Sequence, residues 1–573
     1  MTREIIRRDA CIDIDRLPDN LDPVLRRVYA ARAIDSEADL DYSLDRLLPA
    51  TQLGGLASAV ELLAATIRRA GRILVVGDFD ADGATSCALC LRALRALGAA
   101  EVRYLVPNRF EYGYGLTPEI VAVAAQLEPE LIVTVDNGIS SLDGVDAARR
   151  LGIRVLVTDH HLPGKELPAA DAIVNPNMPG DRFPSKHLAG VGVAFYVMLA
   201  LRAHLRAQGW FRQQSLPEPN LARLLDLVAL GTVADVVPLD RNNRILVAQG
   251  IQRIRAGRCV PGIRALLEAG QRNPARMVAA DLGFVVGPRL NAAGRLDDMS
   301  LGIECLLTDS DTEARRMAQQ LDALNRERKD IETDMQTQAL AAIGELHLAT
   351  AHLPVGLCLF DPLWHQGVIG ILAARIKERF HRPVIAFARS GENELKGSAR
   401  SVQGLHIRDA LSAVAAAHPE LIAKFGGHAM AAGLTLAEQD LPAFMQAFDA
   451  EVSRHLSPQD LRGVIYSDGE LHADEFSLDT AELLRAASPW GQGFPAPLFD
   501  GRFSVVSQRV VGARHLKLML QPVPGSSPVD AIAFNTPALP KTCHEARVAY
   551  RLEVNEYRGQ CRPQLIVEHI ETA

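Results

Sequence analysis

Short, continuous hydrophobic runs alternate with amphipathic stretches in the first third of this chain. Strands covered on both faces of a parallel sheet are continuously apolar. Such runs occupy residues 72–77, 102–106, 131–135 and 154–158. Helical patterns fill the intervals: Thr85–Leu97, a stretch opened by Thr117 and Pro118, and Leu142–Leu151. This alternation predicts a doubly wound α/β domain, followed by a mostly helical part that reaches about Gly270.

The pattern changes twice in the second half of the chain. Residues Asp311 to about Leu346 are rich in helix formers and lack proline, which predicts one long connecting helix. Runs at 355–360, 368–376 and 384–387 then predict a strand, a helix and a strand, hence a second, smaller α/β domain over about 350–455. The tail predicts a small barrel or sandwich, because turn residues separate β-type runs at 503–511, 516–520, 531–534 and 548–554.

Composition narrows the functional classes. A chain of 573 residues with 48% hydrophobic and 23% charged residues is expected to form several cores. The net charge of -8 excludes a global basic field that would attract nucleic acid or anionic membranes, so any polyanion site must be local. The longest apolar run, Gly190–Leu201, is shorter than the roughly 20 residues of a membrane span. With no secretory signal pattern, we expect a cytoplasmic protein without a membrane partner. The single CxxC pair, Cys87 and Cys90, is expected to pack in a helix.

Acidic residues follow three of the predicted strands. The carboxyl ends of neighbouring parallel strands open into one crevice, so these acids are expected to converge. Because several buried carboxylates repel one another unless a cation lies among them, the pattern predicts a divalent metal site. The residues are Asp78, Asp80 and Asp82, then Asp136, then Asp159 with His160 and His161, together with Asp235 in a later apolar stretch.

Other interpretations of these motifs fit less well. The first cluster resembles a calcium loop, but its twelfth position is Leu89 rather than Glu. Asp136 and Asp159 could each merely cap a helix or turn. A P-loop is absent because Gly164-Lys165 is followed by Glu, and Gly190-Val-Gly192 lacks the third glycine of a dinucleotide site.

The ligand types restrict the metal. Carboxylate oxygens with an imidazole suit Mn²⁺ or Mg²⁺ better than a structural zinc, which would draw on cysteine and several histidines. Four or more acids suggest two ions about 3.5–4 Å apart, an arrangement that activates water and stabilises the leaving oxygen in phosphoester hydrolysis.

The motifs themselves resemble a known superfamily. Asp78–Gly83, Val135–Gly138 and Asp159–His161 are similar to the motifs of the DHH phosphoesterases. A longer series resembles, over about residues 70–570, the family of single-strand-specific 5′→3′ DNA exonucleases within that superfamily. The series comprises Val106–Leu116, Gly231–Leu239, Gly287–Arg295, Trp364–Gly370 and Gly426–Gly433.

The resemblance implies a division of the chain into five segments. These are a lead-in at 1–45, a catalytic DHH domain at 46–310, a long connecting helix at 311–348, a smaller α/β substrate-binding domain of the DHHA1 type at 349–456, and an OB-like, nucleic-acid-binding β-barrel at 457–573.

The resemblance also implies roles for the metal-site residues. Asp78, Asp80, Asp82, Asp136, His160 and Asp235 are expected to hold two Mn²⁺ or Mg²⁺ ions, with Asp136 bridging them. Asp159 is expected to orient the histidines. His161 is expected to contact the scissile phosphate or to assist proton transfer.

Further residues are expected to bind the substrate. Guanidinium groups suit phosphate oxygens, and glycines let backbone amides approach a DNA strand. The simpler interpretations are a surface ion pair for each arginine and a tight turn for the glycines. The candidates are Asn108, Arg109, Arg289, Asn291, Arg295, His365, Gln366, Ser398, Arg400, Gly426, Gly427 and His428. In the tail, basic and aromatic residues predict either a surface that binds single-stranded DNA or an ordinary solvated β-face. These residues are Arg502, Phe503, Arg509, Arg514, His515, Lys517, Tyr557, Arg558 and Arg562.

The family's activity supplies the leading functional hypothesis. It is a metal-dependent 5′→3′ exonuclease that degrades single-stranded DNA to mononucleotides in DNA repair and recombination, with single-strand-binding protein and a helicase as expected partners. One alternative is a DHH hydrolase of short oligonucleotides or pyrophosphate. Another is a non-catalytic single-strand-binding scaffold.

Overall fold

A computed structural model describes residues 3–107, 115–345, 353–457, 459–512, 515–522, 525–540, 542–557 and 559–572. The chain forms two compact units. The larger unit comprises Asp9–Asn325 and Asp468–Ala573, and the smaller unit comprises Met1–Arg8 and Arg326–Ser467.

The helices and strands follow one another in three stretches. The first contains β1 (Glu4–Arg7), α1 (Pro23–Ala30), α2 (Leu56–Arg68), β2 (Arg72–Val76), α3 (Ala81–Ala96), β3 (Glu101–Leu105), α4 (Pro118–Ala125), β4 (Leu131–Val135), α5 (Leu142–Arg150), β5 (Arg154–Thr158) and β6 (Ala172–Val174). The second contains α6 (Gly190–Ala207), α7 (Trp210–Gln213), α8 (Leu225–Ala234), α9 (Arg241–Arg255), α10 (Pro261–Ala269), α11 (Ala279–Asp281), a π-helical turn (Leu282–Val286), α12 (Gly287–Leu296), α13 (Ser300–Leu307) and α14 (Asp311–Glu345). The third contains β7 (Leu357–Phe360), α15 (Ile369–Phe380), β8 (Val384–Gly391), β9 (Glu394–Arg400), α16 (Ile407–Ala417), β10 (Lys424–Gly427), β11 (Ala431–Ala437), α17 (Leu441–His455), β12 (Val464–Ser467), α18 (Leu478–Ala486), β13 (Phe499–Val511), β14 (His515–Gln521), β15 (Val529–Ala533), β16 (Glu545–Tyr557) and β17 (Gln560–Thr572).

The larger unit contains the predicted doubly wound domain. Its five-stranded sheet has the order β3-β2-β4-β5-β6, and every pair is parallel. All five residues of β4 are buried, which explains its continuously apolar sequence. The strand order reverses between β2 and β4, the kind of position at which open α/β sheets bind ligands. Cys87 and Cys90 are buried in α3, as predicted.

Helix α6 is a buried core helix of this unit. Within the part of the chain that the structure describes, it is the one continuous helix long and apolar enough to cross a membrane, with a mean hydropathy of 1.2. The bent pair Leu44–Gln52 and Leu56–Arg68 passes the same criterion together. However, 61% of α6 is buried inside the protein, and Phe195 and Tyr196 are almost fully buried.

The tail forms a closed barrel, which decides between the two predicted β architectures. The strand order is β13-β14-β15-β17-β16, and β15 pairs with β17 in parallel while the other pairs are antiparallel. This is the arrangement of a five-stranded OB-like barrel. The sequence pattern did not predict β17. Phe499 and Tyr550 fill the interior, and both are fully buried.

The smaller unit contains a mixed sheet of order β10-β11-β9-β8-β7. Only the β7–β8 pair is parallel, as the predicted strand, helix and strand require. The antiparallel strands β9, β10 and β11 were not predicted. The N-terminal strand β1 belongs to this unit as well, because it pairs in parallel with β12, from Glu4 opposite Val464 to Arg7 opposite Ser467.

Candidate metal centre

The predicted metal ligands converge in the larger unit. Three groups of side chains have potential ligand atoms within 4.8 Å of one another: Asp78, Asp80 and Asp136; Asp82, His160 and Asp235; and Asp136, His160 and His161. Each predicted ligand therefore belongs to at least one group. Asp136 and His160 each belong to two, so the groups form one continuous cluster.

The sheet topology brings these residues together. Asp78 follows β2, Asp136 follows β4 and His160 follows β5, and these three strands are neighbours in the sheet. The cluster lies at the carboxyl edge of the sheet, where the strand order reverses. Asp235 arrives differently, as the residue that ends helix α8.

Two glycines allow the surrounding helices to approach the carboxylates closely. A Cβ on Gly190, the first residue of α6, would lie 2.6 Å from the Cβ of Asp136. A Cβ on Gly231, in α8, would lie 2.7 Å from Oδ1 of Asp82. A larger residue at either position would require the neighbouring side chains or the helix itself to move.

Asp82 is bound to the first turn of α6. Its Oδ2 accepts a hydrogen bond from the backbone N–H of Gly190 at 2.6 Å, and its Oδ1 accepts one from Val191 at 2.9 Å. Burial, followed by the charge of Asp80, raises the pKa of Asp82 to about 7, although these two N–H groups lower it. The carboxylate thus has a fixed position and an unfavourable charge.

Two other buried acids of the cluster also have raised pKa values. Burial raises the pKa of Asp136 and of Asp235 well above the ordinary value, and the charges of Asp82 and Asp80 raise both further. His160 lies between them, with Nε2 at 3.1 Å from Oδ1 of Asp136 and at 3.5 Å from Oδ2 of Asp235. An anionic, oxygen-rich cluster of this kind fits hard divalent cations.

Asp159 orients the two histidines. Its carboxylate accepts hydrogen bonds from the backbone N–H groups of Ile139, His160 and His161 at 2.7–3.1 Å. It also contacts Nδ1 of His161 at 2.7 Å. Burial raises the pKa of Asp159, but the hydrogen bond and charge of His161 outweigh burial and lower it overall. Conversely, burial lowers the pKa of His161, but Asp159 outweighs it and raises the pKa to about 9.

Asparagine side chains that the sequence interpretation missed hold the same loops. Asn137 Nδ2 donates to the carbonyl oxygens of Val76 and Val135, which ties the ends of β2 and β4 together. Asn175 and Asn177, which follow β6, donate to the carbonyl oxygens of His161 and His160 at 2.9 and 2.6 Å. A polar Asn-Pro-Asn sequence directly after an apolar run is the signal that could have identified the last two.

Two predicted substrate residues on α12 make internal contacts. Asn291 Oδ1 accepts a hydrogen bond from the backbone N–H of Ala81 at 2.7 Å, so it holds the loop that carries Asp80 and Asp82. Arg289 is buried and pairs with Asp322 at 2.7 Å, and it also donates to the carbonyl oxygen of Val285. Arg295, at the end of the same helix, is half-buried.

The smaller unit groups further candidates around the start of α15. Arg400 Nη1 donates to Ser398 Oγ at 3.1 Å, and a Cβ on Gly370 would lie 2.9 Å from Arg400 Nη2. Burial lowers the pKa of Arg400. His365 Nδ1 accepts from the N–H of Gly367, and Gln366 is half-buried.

Gly426 and Gly427 belong to strand β10 of the smaller unit, and the exposed His428 follows them. Gly427 has a φ of 146°, a value that residues other than glycine rarely adopt. The backbone N–H of His428 donates to the carbonyl oxygen of Ala431, which closes a tight turn between β10 and β11. The local geometry of these glycines therefore matches the simpler interpretation, that they form a tight turn.

The barrel corrects one part of the predicted binding surface. Phe503 is 2% exposed and packs against Phe476 and Tyr550 in the interior, so it was wrongly placed on the surface. Phe534, which was not predicted, is exposed and has an edge contact with the ring of His515. Lys517 pairs with Asp530 at 3.2 Å, and Arg502, Arg509 and Arg562 remain on the outside or partly exposed.

Some predicted residues lie outside the described part of the chain. They are Asn108, Arg109, Arg514 and Arg558, together with the side chain of Tyr557.

Comparison with known proteins assigns the same architecture. Residues 72–232 match the DHH family, N-terminal domain, residues 351–454 match the DHHA1 domain, and residues 467–569 match the RecJ OB domain. The two α/β units and the barrel that were predicted from the sequence are thus confirmed.

Full-length relatives extend these matches. The chain is 59% identical over 557 residues to the single-stranded-DNA-specific exonuclease RecJ of Dickeya dadantii, covering 97% of both chains. It also resembles the crystal structure of RecJ from Thermus thermophilus in complex with Mn²⁺, with a TM-score of 0.79 and 30% identity over 100% of this chain and 79% of that one. The Mg²⁺ complex of that RecJ gives a TM-score of 0.73 and 28% identity over 100% and 78% of the two chains. This chain therefore belongs to the RecJ family.

Proposed function

We propose that this protein is a metal-dependent 5′→3′ exonuclease that degrades single-stranded DNA to mononucleotides. The observation that carries the proposal is the continuous cluster in which Asp136 and His160 each belong to two potential ligand groups. The names of the relatives, single-stranded-DNA-specific exonucleases at up to 59% identity over nearly the whole chain, support the same activity.

Mn²⁺ or Mg²⁺ is the proposed cofactor, and two ions are expected. Two crystal structures of a similar RecJ contain these two metals. The donor set fits them because it consists of carboxylate oxygens with an imidazole. The proposed ligands are Asp78, Asp80, Asp82, Asp136, His160 and Asp235. When bound, the ions would activate water and stabilise charge on the leaving oxygen.

His161 is the proposed proton carrier. Because Asp159 raises the pKa of His161 to about 9, the imidazole carries a proton at neutral pH. In this form it can donate a hydrogen bond to a phosphate oxygen at the metal cluster, or give its proton to the leaving group. Asp159 fixes the orientation of the ring throughout, and Asn175 and Asn177 hold the backbone on either side of it.

The remaining predicted residues are proposed to hold the strand. Ser398 and Arg400, with His365, Gln366, Gly426, Gly427 and His428, belong to the smaller unit, which is proposed to bind substrate. Arg289, Arg295, Asn108 and Arg109 are proposed for the phosphates. The division into segments at 1–45, 46–310, 311–348, 349–456 and 457–573 is also retained as a proposal.

The proposed setting is DNA repair and recombination in the cytoplasm. Single-strand-binding protein and a helicase are proposed partners, because both act where single strands are exposed. These proposals rest on the family and not on any particular residue.

The two alternative functions have specific observations against them. A hydrolase of pyrophosphate or very short oligonucleotides has no need of the closed five-stranded barrel, whose fold commonly binds oligonucleotides. A non-catalytic scaffold has no need of a complete ligand set, yet each proposed ligand position is occupied by Asp or His.

One assay distinguishes the three functions. End-labelled, 5′-phosphorylated single strands of graded length are incubated with and without Mn²⁺, and pyrophosphate is tested in parallel. Release of mononucleotides from long strands supports the proposal. Hydrolysis restricted to short substrates supports the first alternative, and binding without cleavage supports the second. Asp136→Ala should abolish cleavage, whereas Asp143→Ala, at an exposed position on α5, should not. Undiminished cleavage by Asp136→Ala would overturn its assignment as a ligand.

A further inference from the structure

Three apolar side chains in the segments around the acidic cluster are exposed. Leu162, the residue after His161, is 60% exposed, and Val236, the residue after Asp235, is 62% exposed. Phe284, in the π-helical turn, is 83% exposed and is the most exposed aromatic side chain in the described part of the molecule. We call these three residues the apolar rim. Their chemistry differs from that of the cluster, which is anionic and partly to fully buried.

The segment around Phe284 packs against the end of α8, next to Asp235. A Cβ on Gly283 would lie 3.2 Å from Cγ1 of Val233, and a Cβ on Gly287 would lie 3.1 Å from the Cβ of Ala234. The π-helical turn and the first residue of α12 are therefore packed against the two residues that directly precede Asp235.

Two unusual backbone features occur at this place. Val236 has a φ of 62°, in the left-handed region that is strongly unfavourable for a β-branched residue. Leu282–Val286 is a π-helical turn. Such turns are rare in proteins as a whole, but those that do occur are often found at functional sites. Such conformations persist where the surrounding structure enforces them, and they concentrate at ligand sites. Each feature accompanies an exposed apolar side chain, Val236 directly after Asp235 and Phe284 in the segment packed against Val233 and Ala234.

The helical run that carries Phe284 also packs against the loop that follows β2. In α12, Asn291 accepts from the N–H of Ala81, and a Cβ on Gly294 would lie 1.8 Å from the carbonyl oxygen of Phe79. The run from residue 282 to residue 296 thus packs against both α8 and the loop that carries Asp80 and Asp82. This packing gives the backbone at Phe284 a defined position relative to the loop and helix that carry the acids.

We propose that Phe284 is a base-stacking residue that holds a nucleobase of the substrate strand while the adjoining phosphate lies at the metal cluster. Aromatic stacking suits any of the four bases, since each has a π-face, and it is a general means of binding single strands. The anionic cluster, once it holds cations, accepts phosphate, and the apolar rim accepts the base. This inference rests on the proposed function, and it adds a nucleobase subsite to it.

Abasic substitution tests the subsite directly. Single-turnover cleavage in Mn²⁺ is measured on a 5′-phosphorylated oligonucleotide and on a series in which one nucleotide at a time, from the 5′ end, is replaced by tetrahydrofuran. The wild-type protein should lose about 5- to 150-fold in rate at one position, the range expected for one stacked base. Phe284→Ala should show a similar loss on the unmodified strand and no further loss at that position. Phe284→Trp should restore both properties.

Matched controls separate stacking from a structural defect. Leu151→Ala changes another exposed apolar residue, 57% exposed at the end of α5, and should behave like the wild type. The melting temperature and Mn²⁺ affinity of Phe284→Ala should be unchanged, because the side chain is exposed. Wild-type rates with an undiminished abasic effect in Phe284→Ala would overturn the proposal and make Phe284 an ordinary exposed residue. A wild-type protein that cleaves no single strand would instead overturn the proposed function, and the subsite with it.

Discussion

Nδ1 of His161 lies 2.7 Å from Oδ1 of Asp159, and the same carboxylate oxygen accepts the backbone N–H groups of both His160 and His161. One buried acid therefore raises the pKa of an imidazole and holds the backbone that carries it. It fixes the ring at the edge of the acidic cluster.

Replacement of Asp159 by Asn should shift the pH dependence of activity. The pKa of His161, raised to about 9 by Asp159, should fall towards its ordinary value of 6.5. If the protonated ring is the active form, wild-type activity is lost only as the pH rises through about 9, whereas the variant loses it as the pH rises through about 6.5. The measurement is the rate of single-strand cleavage between pH 5.5 and 9.5. A variant with the wild-type alkaline limb would contradict this role, and His161→Gln, which cannot titrate, serves as the control.

Metal should stabilise the protein more strongly as the pH rises. The pKa of Asp82 is raised to about 7, so in the metal-free protein its contribution to stability is present below its unfolded pKa and is lost as the pH rises from about 4 through about 7. A divalent cation offsets the repulsion among the ionised acids. The increase in melting temperature caused by Mn²⁺ should therefore grow between pH 5 and pH 8. A stabilisation independent of pH would contradict the contribution of Asp82, and the same scans with EDTA are the control.

Gly190→Ala should weaken metal binding. The new Cβ would lie 2.6 Å from the Cβ of Asp136, so the carboxylate or α6 must move, at a cost of about 1–3 kcal/mol. Calorimetric titration with Mn²⁺ should show a lower affinity, with the secondary structure retained. Gly164→Ala is the matched control, because its Cβ would meet only the carbonyl oxygen of Glu166 at 3.6 Å. Equal Mn²⁺ affinities for the two variants would contradict this prediction, because they would mean that α6 shifts to accommodate the new Cβ while Asp136 stays in place.

Asn291→Ala separates two roles of the same side chain. If Asn291 chiefly holds the loop through the N–H of Ala81, the variant should bind Mn²⁺ more weakly, and excess metal should restore much of its activity. If it chiefly contacts the strand, KM for single-stranded DNA should rise while the affinity for Mn²⁺ stays unchanged. The loss of this hydrogen bond should cost about 1 kcal/mol of stability. An unchanged Mn²⁺ affinity would rule out the positioning role.

The central sheet and the acidic cluster were predictable because both follow from one simple rule. Strands such as β4 are buried on both faces, so their sequences are continuously apolar and their ends are sharply marked by acids such as Asp136. The convergence of Asp78, Asp136 and His160 then follows from the adjacency of parallel strands.

The unpredicted parts lack such local signals. Strands β10 and β11 contain Gly426, Gly427 and Gly433, and glycine is unfavourable in isolated strands. Strand β17 contains Pro563 together with several charged residues, and it is stabilised by its pairing with β16 and β15. The inward direction of Phe503 depends on the register of β13 in the closed barrel. Likewise, an amide such as Asn291 can serve a substrate or a backbone N–H equally well, and only the fold determines which of them it meets.

The pairing of β1 with β12 has a consequence for how the chain is made. Strand β1 leaves the ribosome long before its partner, residues Val464–Ser467, because 460 residues separate Glu4 from Val464 (464 − 4). At about 5–20 residues per second, the N-terminal strand waits on the order of half a minute or more without its partner. Strand β1 therefore cannot pair until the rest of the smaller unit, which ends at Ser467, has been synthesised. Until then its backbone hydrogen-bonding groups lack the partner that they have in the folded protein.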